Sequence, residues 1–222
     1  MNGGFWKLLG AAALGTVAMF GNTVSMSFGS NPFPQGAIGP YTATINGANA
    51  FVYCDDETHT VYPNETWNAT VTTLKDLIAL GSANIASQST VMWRALPNAL
   101  TLYEEAAWLV NQFGSHPADA SGIQNAIWDI FLQRSGTGLN TDQTTDAYWL
   151  VQASNNYSSL TAVQIANTVF LTPVAGSQVP FADGMPQEFI TLTPEPASYA
   201  LFGMGLVLVS LGTFRRGRGK GK

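Results

Sequence analysis

The sequence predicts an α+β domain: β-strands at its start and end, forming a barrel or sandwich, with a helical subdomain inserted between them. Three observations predict it. Short runs of β-branched and aromatic residues open and close the central region, apolar residues recur at helical spacing between them, and no internal repeat interrupts the order. The 222 residues are enough for one domain with a real core and too few for two comfortable ones.

Residues 29–40 are rich in Gly and Pro and read as a leading loop. Strand character begins at Tyr41 and runs to Cys54, split by Asn46-Gly47, a dipeptide that favours a tight hairpin turn. The amphipathic stretch Val71 to Leu80 is a candidate helix. Thr101 and Glu104 match a capping box and predict a helix through Ala106, Leu109, Val110 and Phe113, stopped at Gly114. Ile123, Ala126, Ile127, Ile130 and Phe131 form an apolar stripe that predicts a second helix over Ser121 to Leu132. A third, with a weaker pattern, covers Thr141 to Ser154. Strands return at Thr168 to Thr172 and Glu188 to Leu192.

Charge is sparse and uneven. Only 10% of residues are charged, and five of the nine Lys and Arg lie in the last eight positions. All fourteen acidic residues lie from Asp55 to Glu195, where only three basic residues face them. Such a surface repels phosphate backbones and excludes nucleic acid as a partner.

The two ends read as addresses. Residues 1–27 have the three regions of a secretory signal peptide: Lys7 with the amino terminus, the apolar run Leu8 to Phe20, and small residues that place cleavage near Ser25 or Ser27. That apolar run is shorter than the roughly 20 residues of a membrane span. The central domain then occupies residues 28–193. Residues 194–222 hold Pro194-Glu195-Pro196, an uncharged stretch to Phe214 just long enough to cross a bilayer, and a basic run starting at Arg215 and Arg216. In this order the elements resemble the PEP-CTERM sorting signal of exported bacterial proteins. The resemblance implies a substrate of a membrane-bound exosortase, held in the inner membrane by its C-terminal helix, then processed to the cell surface or extracellular matrix.

Two central segments, Phe51-Val52-Tyr53-Cys54-Asp55-Asp56 and Ile123-Gln124-Asn125-Ala126-Ile127-Trp128, stand out. Together they resemble the Cys–Gln thioester domains of bacterial surface adhesins, with Ile123 where the family's motif has Thr. The resemblance implies an internal thioester between Cys54 and Gln124, a non-enzymatic adhesion function, and a partner bearing an amine. In that chemistry the thiolate attacks the carboxamide carbon and ammonia leaves; an incoming amine is then acylated once. The free N–H groups of the Gln helix N-terminus are candidates to steady the acyl oxygen. The plainer expectation is that Gln124 caps its own helix with Ser121 and that Cys54, the lone cysteine, is a small buried hydrophobe. The protein is then a non-covalent binding or structural module of the extracellular polysaccharide layer.

Other candidates are weaker. His59 and His116 make a Cys–His hydrolase conceivable. Asp55, Asp56, Glu57 and His59 match no metal-binding loop, so the expectation is a solvated acidic turn with no metal and no cofactor. Trp108 and Trp128 fall on apolar helix faces and are expected in the core; Trp67, in a polar context, is the best candidate for an exposed ring.

Overall fold

The computed structural model describes residues 22–30, 38–134, 143–177 and 185–193; most of the expected signal peptide, up to residue 21, and all of the expected sorting signal, from residue 194, lie outside the described residues. The β-strands are β1 (Thr23–Ser30), β2 (Tyr41–Ile45), β3 (Ala48–Cys54), β4 (Thr66–Thr73), β5 (Thr168–Pro173) and β6 (Phe189–Leu192). They close into an antiparallel barrel in the order β1-β2-β3-β6-β5-β4. Between β4 and β5 the chain forms α1 (Leu74–Leu80), α2 (Ser82–Gln88), α3 (Ala99–Val110), α4 (Ala120–Leu132), α5 (Gln143–Asn156) and α6 (Ala162–Asn167). A barrel with an inserted helical subdomain is the α+β arrangement that the sequence implied. Among the described residues no helix is long and apolar enough to cross a membrane.

Strand alternation sorts the side chains into two cores. Met26, Phe28, Tyr41, Val52, Cys54, Trp67, Ala69, Val71, Leu171 and Phe189 fill the barrel. Tyr53, Phe170 and Ile190, on the opposite strand faces, join the helices around Tyr103, Ile123, Ile127 and Phe131. The hairpin at Asn46-Gly47 forms with both residues at positive φ, as a tight primed turn requires.

Several boundaries differ from expectation. The first strand begins at Thr23, and its five pairings with β4, from Thr23↔Thr70 to Ser27↔Thr66, all lie ahead of Phe28. The domain therefore starts before residue 28, and cleavage near Ser25 or Ser27 would cut a barrel strand. Polar residues that alternate with Trp67, Ala69 and Val71 disguised β4; only Leu74 to Leu80 of the candidate helix beginning at Val71 is helical. Alternation also turns Trp67 inward, where it is 2% exposed and stacks on Phe189 at 6.0 Å, so it is not an exposed ring. The third helix starts at Ala99 rather than at Thr101, with Asn98 left-handed before it, so Thr101 lies inside the helix and caps nothing. The fourth starts at Ala120, which puts Ser121 and Gln124 inside it.

Candidate functional site

Cys54 is the last residue of β3, pairs with Phe189 of β6, and is fully buried inside the barrel mouth. Gln124 lies one turn into α4 and is likewise fully buried. It does not cap the helix. Its side-chain Nε2 donates to the backbone oxygen of Cys54 at 2.6 Å. The structure thus brings together two residues 70 positions apart that the family resemblance paired. The carboxamide oxygen of Gln124, by contrast, is buried with no hydrogen-bond donor. Over that oxygen lies the backbone of Gly39, where an added Cβ would stand 2.6 Å from Oε1. Any side chain at this position would force the Gln124 carboxamide to shift. Because Gln124 is the fifth residue of α4, its own N–H is not among the free donors of the first turn. The helix-terminus stabilisation expected from the sequence is therefore displaced by a turn.

The thiol is held by the loop that follows it. Sγ donates to the Asp56 carbonyl at 3.1 Å, and the Asp56 N–H points back at the sulfur at 3.4 Å. Burial pushes the Cys54 thiol well above its ordinary range, and the carboxylates of Asp55 and Asp56 push the same way wherever they are ionised. The Asp56 backbone N–H opposes that shift by hydrogen-bonding to the sulfur. Tyr41, deep in the barrel, is also raised, first by burial and then by the proximity of Cys54.

The acidic run after Cys54 is not a solvated turn: Asp55 and Asp56 are both fully buried. Asp56 is satisfied locally, whereas Glu188 beside Asp55 and Gln187 on the loop come from a distant part of the chain, which is why the sequence hid their burial. Asp56 accepts from Thr58 N and Oγ1 at 2.9 and 2.6 Å and holds His59 Nδ1 at 2.6 Å. Glu57 pairs with Arg134 at the end of α4 at 2.7 Å, and Gln187 donates to the carbonyls of Asp56 and His59. Asp55 faces Glu188, which accepts from Tyr103 Oη at 2.7 Å, from the Met92 N–H at 2.8 Å and from Thr172. Burial, then the Glu188 charge, lifts the Asp55 carboxyl well above the usual range, so Asp55 keeps the proton and Glu188 collects the donors. Among the described residues no group of three or more His, Cys, Asp or Glu is placed to hold a metal ion.

The two histidines part ways. His59 has Asp56 as an orienting partner, which the sequence did not reveal. His116 packs edge-on against Trp149 at 5.1 Å, with Asp119 4.0 Å away. The predicted sorting residues Pro194, Glu195, Pro196, Arg215 and Arg216 lie outside the described residues. Comparison of the chain with models of known protein families, with curated proteins and with solved structures finds no match.

Proposed function

We propose that this is an exported surface or matrix protein that attaches covalently to an amine-bearing partner through an internal Cys54–Gln124 thioester. The observation that carries the reading is the Gln124 carboxamide lodged on Cys54 in a closed, dry site. In the assembly step the Cys54 S–H bond and the Gln124 C–N bond break, the S–C bond forms, and ammonia carries away the thiol proton. In the attachment step a partner amine adds to the Gln124 carbonyl carbon, the C–S bond breaks, and a proton from the amine ends on the sulfur. Each molecule reacts once, without turnover. The buried thiol is a weak nucleophile until it loses its proton, and the buried surroundings keep water from the acyl bond.

The sorting-signal resemblance of residues 194–222 supports export by way of the inner membrane and processing by an exosortase-type enzyme. The long excess of acidic residues over basic ones in the central region favours a basic, amine-rich partner over another acidic polymer.

Intact mass of the purified full-length chain, before and after methylamine, tests the reading. The expected result is a mass one ammonia short of the sequence, with methylamine then joined at Gln124, and neither effect in Cys54→Ala or Gln124→Ala. A full mass with a titratable free thiol overturns it and leaves the non-covalent binding or structural module, with an inert Cys54, in its place.

A further inference from the structure

The turn after Cys54 carries a carboxylate–imidazole pair that the assembly step leaves unused. Asp56 belongs to both sides of it. Its backbone holds the sulfur, accepting from Sγ at 3.1 Å and pointing its N–H back at 3.4 Å. Its fully buried side chain holds His59 Nδ1 at 2.6 Å. Gln187 fixes the turn by donating to the Asp56 and His59 carbonyls. The same network sets the tautomer. Thr58 gives its one hydroxyl proton to Asp56 Oδ1 at 2.6 Å, so its oxygen can only accept from His59 Nδ1 at 3.1 Å, and a carboxylate has no proton to give. Nδ1 therefore carries the proton of the neutral ring, and Nε2 keeps its lone pair. Among the described residues Nε2 has no hydrogen-bond partner. The His59 side chain is 33% exposed, while Cys54, Asp55 and Asp56 are fully buried. An imidazole open to solvent thus stands on the loop that wraps the sulfur.

Resting on the thioester reading, we infer that His59 is a catalytic residue of the attachment step: its Nε2 receives the partner's amine as an ammonium and takes one proton from it. An amine of the lysine kind is almost wholly ammonium at neutral pH, and an ammonium has no electron pair with which to attack. One N–H bond of the ammonium breaks and its proton joins Nε2. The neutral amine then adds to the Gln124 carbonyl carbon, and a second of its protons ends on the sulfur as the C–S bond breaks. The imidazolium gives the first proton to water. Asp56 steadies the imidazolium through Nδ1 and holds the ring in the tautomer that can accept. The basic side chain drawn to this turn, Arg134 at the end of α4, is taken by Glu57 at 2.7 Å, which leaves the Asp56 carboxylate to attract the incoming cation.

The test compares the full-length chain with His59→Asn, each in its closed form with a mass one ammonia short. Asn keeps a side-chain N–H for Asp56 and removes Nε2. Two probes are used at neutral pH: methylamine, which is charged there, and hydroxylamine, which is not. The expected result is that His59→Asn takes up methylamine about a hundredfold more slowly than the parent, the loss of one positioned proton acceptor, and takes up hydroxylamine at close to the parent rate. A parent-like methylamine rate in His59→Asn overturns the inference. Equal slowing toward both probes also overturns it, because a displaced turn hinders every nucleophile alike. Should His59→Asn not fold or not close, the parent alone decides: its ratio of methylamine to hydroxylamine rates must exceed that of a simple alkyl thioester in the same buffer, and an equal ratio refutes the role of His59. A parent chain that never closes its thioester sinks the underlying reading instead, and is recognised by its full mass before any variant is made.

Discussion

A chain beginning at Phe28 should fail to fold cooperatively, and the reason is the barrel's closure. Truncation there removes every pairing between β1 and β4, from Thr23↔Thr70 to Ser27↔Thr66, and leaves only Phe28↔Ala43 and Ser30↔Thr42 of the pairings with β2. It also removes Met26 and Val24, 1% and 9% exposed, from the barrel core. Burial of two such side chains contributes about 3–6 kcal/mol, and each lost backbone bond adds about 0.5–1.5 kcal/mol. Together these approach the whole stability of a domain this size, about 5–15 kcal/mol. Circular dichroism melts of the full chain, of a chain beginning at Asn22 and of a chain beginning at Phe28 make the comparison. Asn22 is retained in the second because its carbonyl accepts from the Val71 N–H at 2.9 Å. The second chain should melt as one transition and the third should not. A sharp melt of the Phe28 chain within a few degrees of the Asn22 chain would refute the claim that β1 closes the barrel. The same logic bears on the proposed signal peptide: if one is removed, a domain that keeps its barrel is cut ahead of Asn22, and N-terminal sequencing of the protein from its native host checks this.

Three further outcomes are expected. Gly39→Ala drives a methyl group into the Gln124 carbonyl oxygen, so the carboxamide shifts and methylamine uptake falls by about tenfold or more, read by intact mass. Tyr103→Phe leaves Glu188 Oε1 and the Trp93 N–H without their shared partner and costs about 1–3 kcal/mol in urea unfolding. Asp55 binds its proton more tightly folded than unfolded, so its contribution is present at low pH and lost as pH rises above its ordinary range. The parent should therefore lose up to about 1.4 kcal/mol more per pH unit than Asp55→Asn between about pH 4 and pH 7. Equal slopes in the two proteins would show that Asp55 is ionised in the folded state.

What the sequence disclosed follows the range of the forces involved. The fourth helix was legible because its apolar stripe is local, and β2 and β3 were legible because Asn46-Gly47 dictates their turn. The first strand was hidden because Val24, Met26 and Phe28 alternate directly after an apolar leader, and the two patterns merge. Trp67 was misjudged because its flanking Asn and Thr residues are the outward half of a strand, not the edge of an exposed loop. The nearness of Gln124 to Cys54 was suggested by the family resemblance alone, because residues 70 positions apart leave no local pattern. The burial of Asp55 and Asp56 was not, because it depends on Glu188, Tyr103 and Gln187, which only the closed barrel brings near.

The same long-range partners bear on which chemistry a buried cysteine performs. A cysteine hydrolase needs a thiolate at rest, a base within reach of it, and a path for water at every turnover. Here the thiol is raised rather than lowered, its proton rests on the Asp56 carbonyl, and the Nδ1 of His59 is already committed to Asp56. The neighbouring carboxamide is as buried as the thiol, which is of no use to a hydrolase whose substrate must come and go. For a bond formed once and opened once, the same features are assets. A neutral thiol does not react prematurely, and burial keeps water from the acyl carbon. A site that combines a protonated sulfur with an equally buried carboxamide beside it therefore fits single-use acyl transfer better than repeated hydrolysis.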